Sequence, residues 1–153
     1  MYKVPHTDFK ETYKQKMWQD FQIFLQQEFQ SKGTLYSIYY EARKKPWFHS
    51  LDLPREFIVR FTRIRSNHYN AAASLARTGI KLDPQCECSY PYQDFNHLLW
   101  NCPKFSDHRK TLLHKLRETN WTPPYCITTF LKGPNIGVLR IINAFCEAYN
   151  IKL

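Results

Sequence analysis

The chain has 153 residues, 43% of them hydrophobic and 16% aromatic, with only four glycines, which suits a folded domain and excludes a disordered or low-complexity one. Its net charge of +9 favours a polyanionic partner, because clustered Lys and Arg release counterions from phosphate backbones. No apolar run approaches the roughly 20 residues a membrane-spanning helix needs, so no membrane role is expected.

The opening Met1-Tyr2-Lys3-Val4-Pro5-His6 lacks the apolar core of a secretory signal. A reducing, intracellular setting, nuclear or cytoplasmic, is therefore expected. A long amphipathic helix is predicted from Asp8 to Lys32, with Asp8 and Glu11 as a capping box and Gly33 as its C-terminal stop. Met17, Trp18, Phe21, Phe24, Leu25 and Phe29 recur at helical spacing and form an apolar stripe. Ser37 to Glu41 reads either as a strand or as a short helix. Arg43-Lys44-Lys45-Pro46-Trp47 is a basic turn broken by proline, and it is short for a nuclear signal.

Leu53-Pro54 opens the next helix, with proline near its first turn. Phe57, Ile58, Phe61, Ile64 and His68 share one face, with Arg60 and Arg63 well off its centre and Arg65 toward the other flank. An alanine-rich helix is predicted from Tyr69 to Arg77, stopping at Gly79. Ser106 caps a further helix carrying Leu112, Leu113 and Leu116, and Trp121-Thr122-Pro123-Pro124 is a linker. A last helix runs from Asn135 to Tyr149, with Leu139, Ile142, Phe145, Cys146 and Tyr149 on its apolar side. The expected fold is mostly α: a small helical domain with one structural zinc loop. Its organisation divides into 1–52, an N-terminal helix and basic turn, 53–120, helices plus the metal segment, and 121–153, C-terminal helices on the same core.

Chemistry concentrates in one short stretch. Cys86, Cys88, His97 and Cys102 follow a C-x-C-x8-H-x4-C spacing. In a reducing compartment, close cysteines read as metal ligands before disulfides. Three thiolates and an imidazole fill a tetrahedral Zn²⁺ shell, and the protein gains folding free energy by collecting them. His108 and Cys126 are the competitors for the fourth position, ranked lower because Cys126 lies across a helix and a proline linker. The Asp94 carboxylate, three residues before His97, is expected to orient the imidazole. A filled shell favours a structural role over a catalytic one, since catalysis needs an open position.

The run from Arg63-Ile64-Arg65-Ser66-Asn67-His68 through Cys86-Glu87-Cys88, His97-Leu98-Leu99-Trp100-Asn101-Cys102-Pro103-Lys104-Phe105 and Arg109 resembles a known tail. It is the C-terminal zinc-binding region that follows the reverse transcriptase and ribonuclease H domains in insect-type non-long-terminal-repeat retrotransposon polyproteins. That pattern reads R-x-R-T-G-H, then C-x-C-G, then a glutamate ahead of H-x-L-x-x-C-P-x-[YF], then an arginine. The resemblance spans about Leu53 to Leu116. It implies Cys86, Cys88, His97 and Cys102 as zinc ligands, Arg63, Arg65 and His68 as the signature of the preceding helix, and a nucleic-acid-associated module with a possible protein partner in the parent polyprotein. This chain departs from the pattern with Ser66-Asn67 for Thr-Gly, Ser89 for the glycine after the second cysteine, and Asp94 for the glutamate.

The polymerase and nuclease themselves are not expected here. No Tyr-x-Asp-Asp signature occurs, since Tyr92-Gln93-Asp94 lacks the second aspartate, and the 13 acidic residues are scattered. Arg60, Arg63 and Arg65 beside Tyr69, with Lys104, Arg109 and Lys110, and Lys115 and Arg117 beyond, are the candidate RNA- or DNA-binding surface, because single strands are held by phosphate contacts and base stacking. The leading expectation is thus a non-catalytic zinc module that binds nucleic acid. The alternative is a structural or protein-interaction domain in which zinc only holds the helices.

Overall fold

Left-handed stops punctuate the chain and turn its apolar periodicities into separate helices. In a computed structural model, which describes residues 6–151 and side chains from residue 9 onward, these helices are α1 (His6–Glu28), α2 (Thr34–Ser37), α3 (Arg55–Arg65), α4 (Ala72–Arg77), α5 (Ser106–Glu118), α6 (Ile127–Leu131) and α7 (Ile136–Ala148). A π turn (His97–Asn101) and a 3-10 turn (Pro103–Phe105) lie between α4 and α5. No strand occurs among the described residues, in line with the mostly helical expectation. Ser37 to Glu41 resolves as the end of α2 and a turn, not as a strand.

Asn67 (φ 56°), Gly79 (φ 73°), Asn120 (φ 62°) and Asn150 (φ 49°) each follow a helix in the left-handed region. After α3 the closure is complete: the His68 N–H donates to Arg63 O at 2.9 Å and the Asn67 N–H to Ile64 O at 3.0 Å. This pair of bonds satisfies carbonyls that a helix end otherwise leaves open. It also corrects the sequence reading of His68. The chain turns at Asn67, so His68 leaves the helix face and is exposed, while Phe57, Phe61 and Ile64 stay buried. The predicted start of the next helix at Tyr69 shifts to Ala72 as well, and Tyr69 becomes a buried side chain whose hydroxyl accepts the Phe95 N–H at 3.1 Å.

The core sits where α5 packs on α7. Leu112 and Leu116 from α5 meet Val138, Leu139, Ile142, Phe145 and Cys146 from α7, with Phe61 of α3 and Leu99 of the π turn in the same cluster. Each such side chain contributes roughly 1.5–3 kcal/mol on burial. Trp100 stacks on Tyr125 at 5.4 Å and Trp121 meets Phe130 edge-on at 4.8 Å, so both tryptophans serve packing.

The N-terminal helix departs from expectation. Helix α1 begins at His6, so Asp8 lies inside it rather than at a cap, and the Asp8 side chain falls outside the described side chains. The apolar stripe is present in register but largely exposed: Met17 is 70% exposed and Phe24 54%, while Trp18, Leu25 and Phe29 are half-buried. The C-terminal part of α1 docks, where Gln22 Oε1 accepts the Tyr40 hydroxyl at 2.7 Å and the ring of Phe29, just past the helix, meets Tyr40 edge-on at 5.3 Å. Periodicity identified the stripe correctly, but among the described residues it stays largely open to solvent, with Lys44 beside Met17, Trp18 and Phe21.

Candidate metal centre

Local backbone geometry delivers the four donors. Cys86, Glu87, Cys88 and Ser89 form a tight turn closed by the Ser89 N–H to Cys86 O at 2.8 Å, and the Cys86 N–H donates to Tyr90 O at 2.8 Å. Closing that turn puts Ser89 at φ 71°, a conformation suited to glycine. On the other side, the Cys102 N–H donates to His97 O at 2.7 Å, five residues back. An α-helix puts residues five apart on different faces. The wider π turn brings His97 and Cys102 onto one side, one turn apart.

The donor atoms of Cys86, Cys88, His97 and Cys102 all lie within 4.8 Å of one another, a group that can hold a metal ion. Two thiolates at about 2.3 Å from a tetrahedral centre stand about 3.8 Å apart, and a thiolate and an imidazole nitrogen about 3.6 Å. The Cys86 and Cys102 Sγ atoms are 3.8 Å apart, and Cys88 Sγ is 3.3 Å from His97 Nε2. All five cysteines are free thiols. A disulfide requires sulfurs about 2.05 Å apart, so the 3.8 Å separation matches a shared metal rather than a bond.

The surroundings explain how the donors are held. Gln93 bridges two elements: its Oε1 accepts the Ala72 N–H at 2.8 Å, its backbone O accepts the Ala73 N–H at 3.1 Å, and its Nε2 donates to Cys86 Sγ at 3.2 Å. One glutamine thus caps α4 and directs an N–H at the Cys86 sulfur. Arg109 clamps the opposite side, its guanidinium donating to Leu99 O at 2.6 Å, Cys102 O at 2.5 Å and Leu98 O at 3.4 Å. Those carbonyls belong to the π turn and the residue after it, and the Cys102 O also accepts the Phe105 N–H at 3.2 Å.

The expected role of Asp94 is corrected. Its Oδ1 accepts the backbone N–H of His97 at 2.6 Å, so it caps the π turn rather than holding the imidazole. The His97 Nδ1 is buried without a hydrogen-bond partner among the described residues. The ring is oriented instead by stacking on Tyr90, with centroids 4.3 Å apart and planes 4° off parallel.

Protonation follows burial. Burial lowers the His97 pKa, partly opposed by Asp94 and reinforced by Arg109, so the imidazole is neutral near pH 7 and its Nε2 lone pair is available. Burial pushes the Cys102 thiol up to about 12, with Cys86 and Cys88 adding to it. Burial also pushes Cys86 up, but hydrogen bonds from the Cys88 backbone and the Gln93 amide outweigh it, and its pKa is lowered. Cys86 is therefore the more acidic of the Cys86–Cys102 pair. A metal ion bound there displaces thiol protons.

Of the other ligand candidates, His108 stacks edge-on against Tyr149 at 4.1 Å, and Cys126 precedes α6; neither joins the cluster. The six basic residues predicted to face nucleic acid separate into two groups. Arg60 is engaged with Asn143 and pairs with Glu147 at 3.5 Å, tying α3 to α7. Arg65 is buried: its guanidinium donates to Leu131 O at 2.6 Å and Tyr39 O at 2.7 Å and lies 5.8 Å from the Tyr39 ring centroid. With Arg109 on its three carbonyls, these arginines are engaged within the fold: Arg65 is buried, which corrects its expected place on a surface, while Arg60 and Arg109 are half-buried. Arg63, Lys104 and Lys110 are exposed. Lys104 pairs with Glu87 at 2.5 Å and Lys110 with Asp107 at 3.6 Å, surface pairs of the kind that contribute little and exchange readily.

Sequence reasoning missed Tyr90 and Gln93, which are of common residue types; the only signal for them is position between the second cysteine and the histidine. No protein-family model matches the chain, and no curated protein or solved structure matches it at a significant level.

Proposed function

We propose that the chain is a non-catalytic, zinc-stapled helical module that contacts RNA or DNA through exposed lysines and arginines, as its resemblance to the retrotransposon tail implies. The observation that carries the proposal is the closed donor set: three sulfurs and one imidazole nitrogen around a single point. That set suits Zn²⁺ and leaves no open position for a water or substrate. The resemblance gains support from backbone conformation. Asn67 and Ser89, the two residues standing where the tail pattern has glycine, both take a positive φ.

Nucleic-acid contact rests on the net charge of +9 and on the exposed Arg63, Lys104, Lys110, Lys115 and Arg117. Anisotropy of labelled single-stranded RNA and DNA, titrated with the zinc-loaded chain over a range of salt, tests it. Affinity should fall with salt in proportion to the phosphates neutralised, and Lys110→Glu should flatten that dependence. A chain that passes through heparin at physiological salt and leaves both oligonucleotides unbound refutes the nucleic-acid half.

One observation favours a second reading, a protein-interaction domain. Helix α1 presents Tyr13, Met17, Phe21 and Phe24 to solvent, and an exposed apolar face of this kind marks interaction surfaces. Under that reading, a segment of the parent polyprotein is the natural occupant, and the basic surface is incidental.

A further inference from the structure

The basic turn Arg43-Lys44-Lys45 takes no part in the metal centre, yet it borders a cavity of about 290 Å³ between α2 and α3. Tyr36, Tyr40 and Trp47 supply aromatic walls, and Arg43, Lys44 and Lys45 supply the rim. The volume lies at the lower end of small-ligand sites, which run roughly 300–1,000 Å³.

The walls are held in place from behind. The Tyr40 hydroxyl donates to Gln22 Oε1 at 2.7 Å, and its ring sits 6.0 Å from that of Tyr36. The Trp47 indole N–H donates to Thr62 Oγ1 of α3 at 3.4 Å, and Phe48 meets its ring edge-on at 5.5 Å. The rim is cationic. Arg43 pairs with Glu41, whereas Lys44 and Lys45 are exposed and neither is within ion-pair distance of a carboxylate among the described residues. Oriented π-faces next to unneutralised ammonium groups are the two elements that hold one unit of a single strand, the base by stacking and the phosphate by charge.

We infer that this cavity binds one base of a single-stranded nucleic acid, stacked against Trp47 and the tyrosines, with the phosphates on either side of it at Lys44 and Lys45. The inference rests on the nucleic-acid reading above and gives it a location separate from α5. An acidic peptide would satisfy the lysines but leave the aromatic walls without a stacking partner.

The test uses the full, zinc-loaded chain and labelled oligouridine and oligothymidine of about 12 nucleotides, within the roughly 4–16 that single-strand modules occupy. Lys44→Gln with Lys45→Gln alters only exposed side chains. This pair should weaken binding and lower the salt slope by about 1.4, at roughly 0.7 per phosphate on a single strand. Trp47→Leu should weaken binding by roughly fivefold or more, the lower end for loss of one stacked base. Because Trp47 also packs, 4-thiouridine crosslinking of the unmutated chain serves as the second readout, with adducts expected on the peptide holding Tyr40 to Trp47. If neither oligonucleotide binds, this inference and the nucleic-acid reading fall together. If both bind, but the lysine pair leaves the slope unchanged and adducts map to α5, the cavity is not the site while the broader reading stands.

Discussion

Replacing Arg109 with alanine should destabilise the chain by about 2–3 kcal/mol, without any nucleic acid present. The figure follows from the contacts. Two of the three hydrogen bonds are short, at 2.6 Å to Leu99 O and 2.5 Å to Cys102 O, while the third, at 3.4 Å to Leu98 O, adds little. A hydrogen bond from a charged donor contributes roughly 1.5–3 kcal/mol, so two sum to about 3–6, and partial exposure of the guanidinium discounts the pair to about 2–3. Leu99 and Cys102 are fully buried, so water cannot fully replace the lost donors. Thermal melting followed by far-UV circular dichroism reads the effect as a drop of roughly 4–12 °C for a domain of this size. Arg109→Lys should recover less than half of it, because one ammonium cannot span two carbonyls as a planar fork does. A loss below about 0.5 kcal/mol, within the range of ordinary surface substitutions, or full recovery by lysine, would falsify the assignment of Arg109 as a clamp.

Three further outcomes follow from the same geometry. Ser89→Gly should stabilise the metal-loaded chain by about 0.5–1 kcal/mol, because φ 71° strains any side chain but glycine; a lower denaturant midpoint would contradict this. Metal affinity, measured by competition with a chromophoric chelator, should rise from about pH 6.5 to about pH 8, since the Cys102 thiol, pushed up to about 12 by burial, must lose its proton to bind; a flat profile would show that the thiols are already ionised. At alkaline pH the chain should lose stability. Burial raises Tyr69 from 10.0 and Cys146 from 9.0, each to about 12, so the neutral forms are favoured in the fold. That stability is complete below pH 9.0 and is lost as pH climbs through about 12. Urea midpoints at rising pH measure it, and Cys146→Ala should remove the earlier part of the decline.

The metal cluster was legible because its geometry is local. Cys86 to Cys102 spans one turn, one short loop and one π turn, and no distant element is needed to bring the donors together. Helix stops were legible at Gly79 but not at Asn67, where the same left-handed turn is taken by a residue that sequence allows in many other conformations. The arginines misled for a tertiary reason. Whether Arg60, Arg65 and Arg109 meet solvent or acceptors within the fold depends on where α6, α7 and the π turn lie, which no spacing along the chain encodes. The α1 stripe shows the converse: periodicity reveals an apolar face without saying what covers it.

The most direct test of the account is the metal content of the purified, reduced chain by native mass spectrometry, read beside its melting curve with and without chelator. The account predicts one zinc ion per chain, lost on chelation together with the cooperative melt of the segment from Cys86 to Cys102, because structural zinc contributes on the order of 10 kcal/mol to folding small metal-organised segments. Cys102→Ser should lose both the stoichiometry and the melt. A chain that binds no metal and melts identically with chelator, or a Cys102→Ser chain that keeps its zinc, would contradict it.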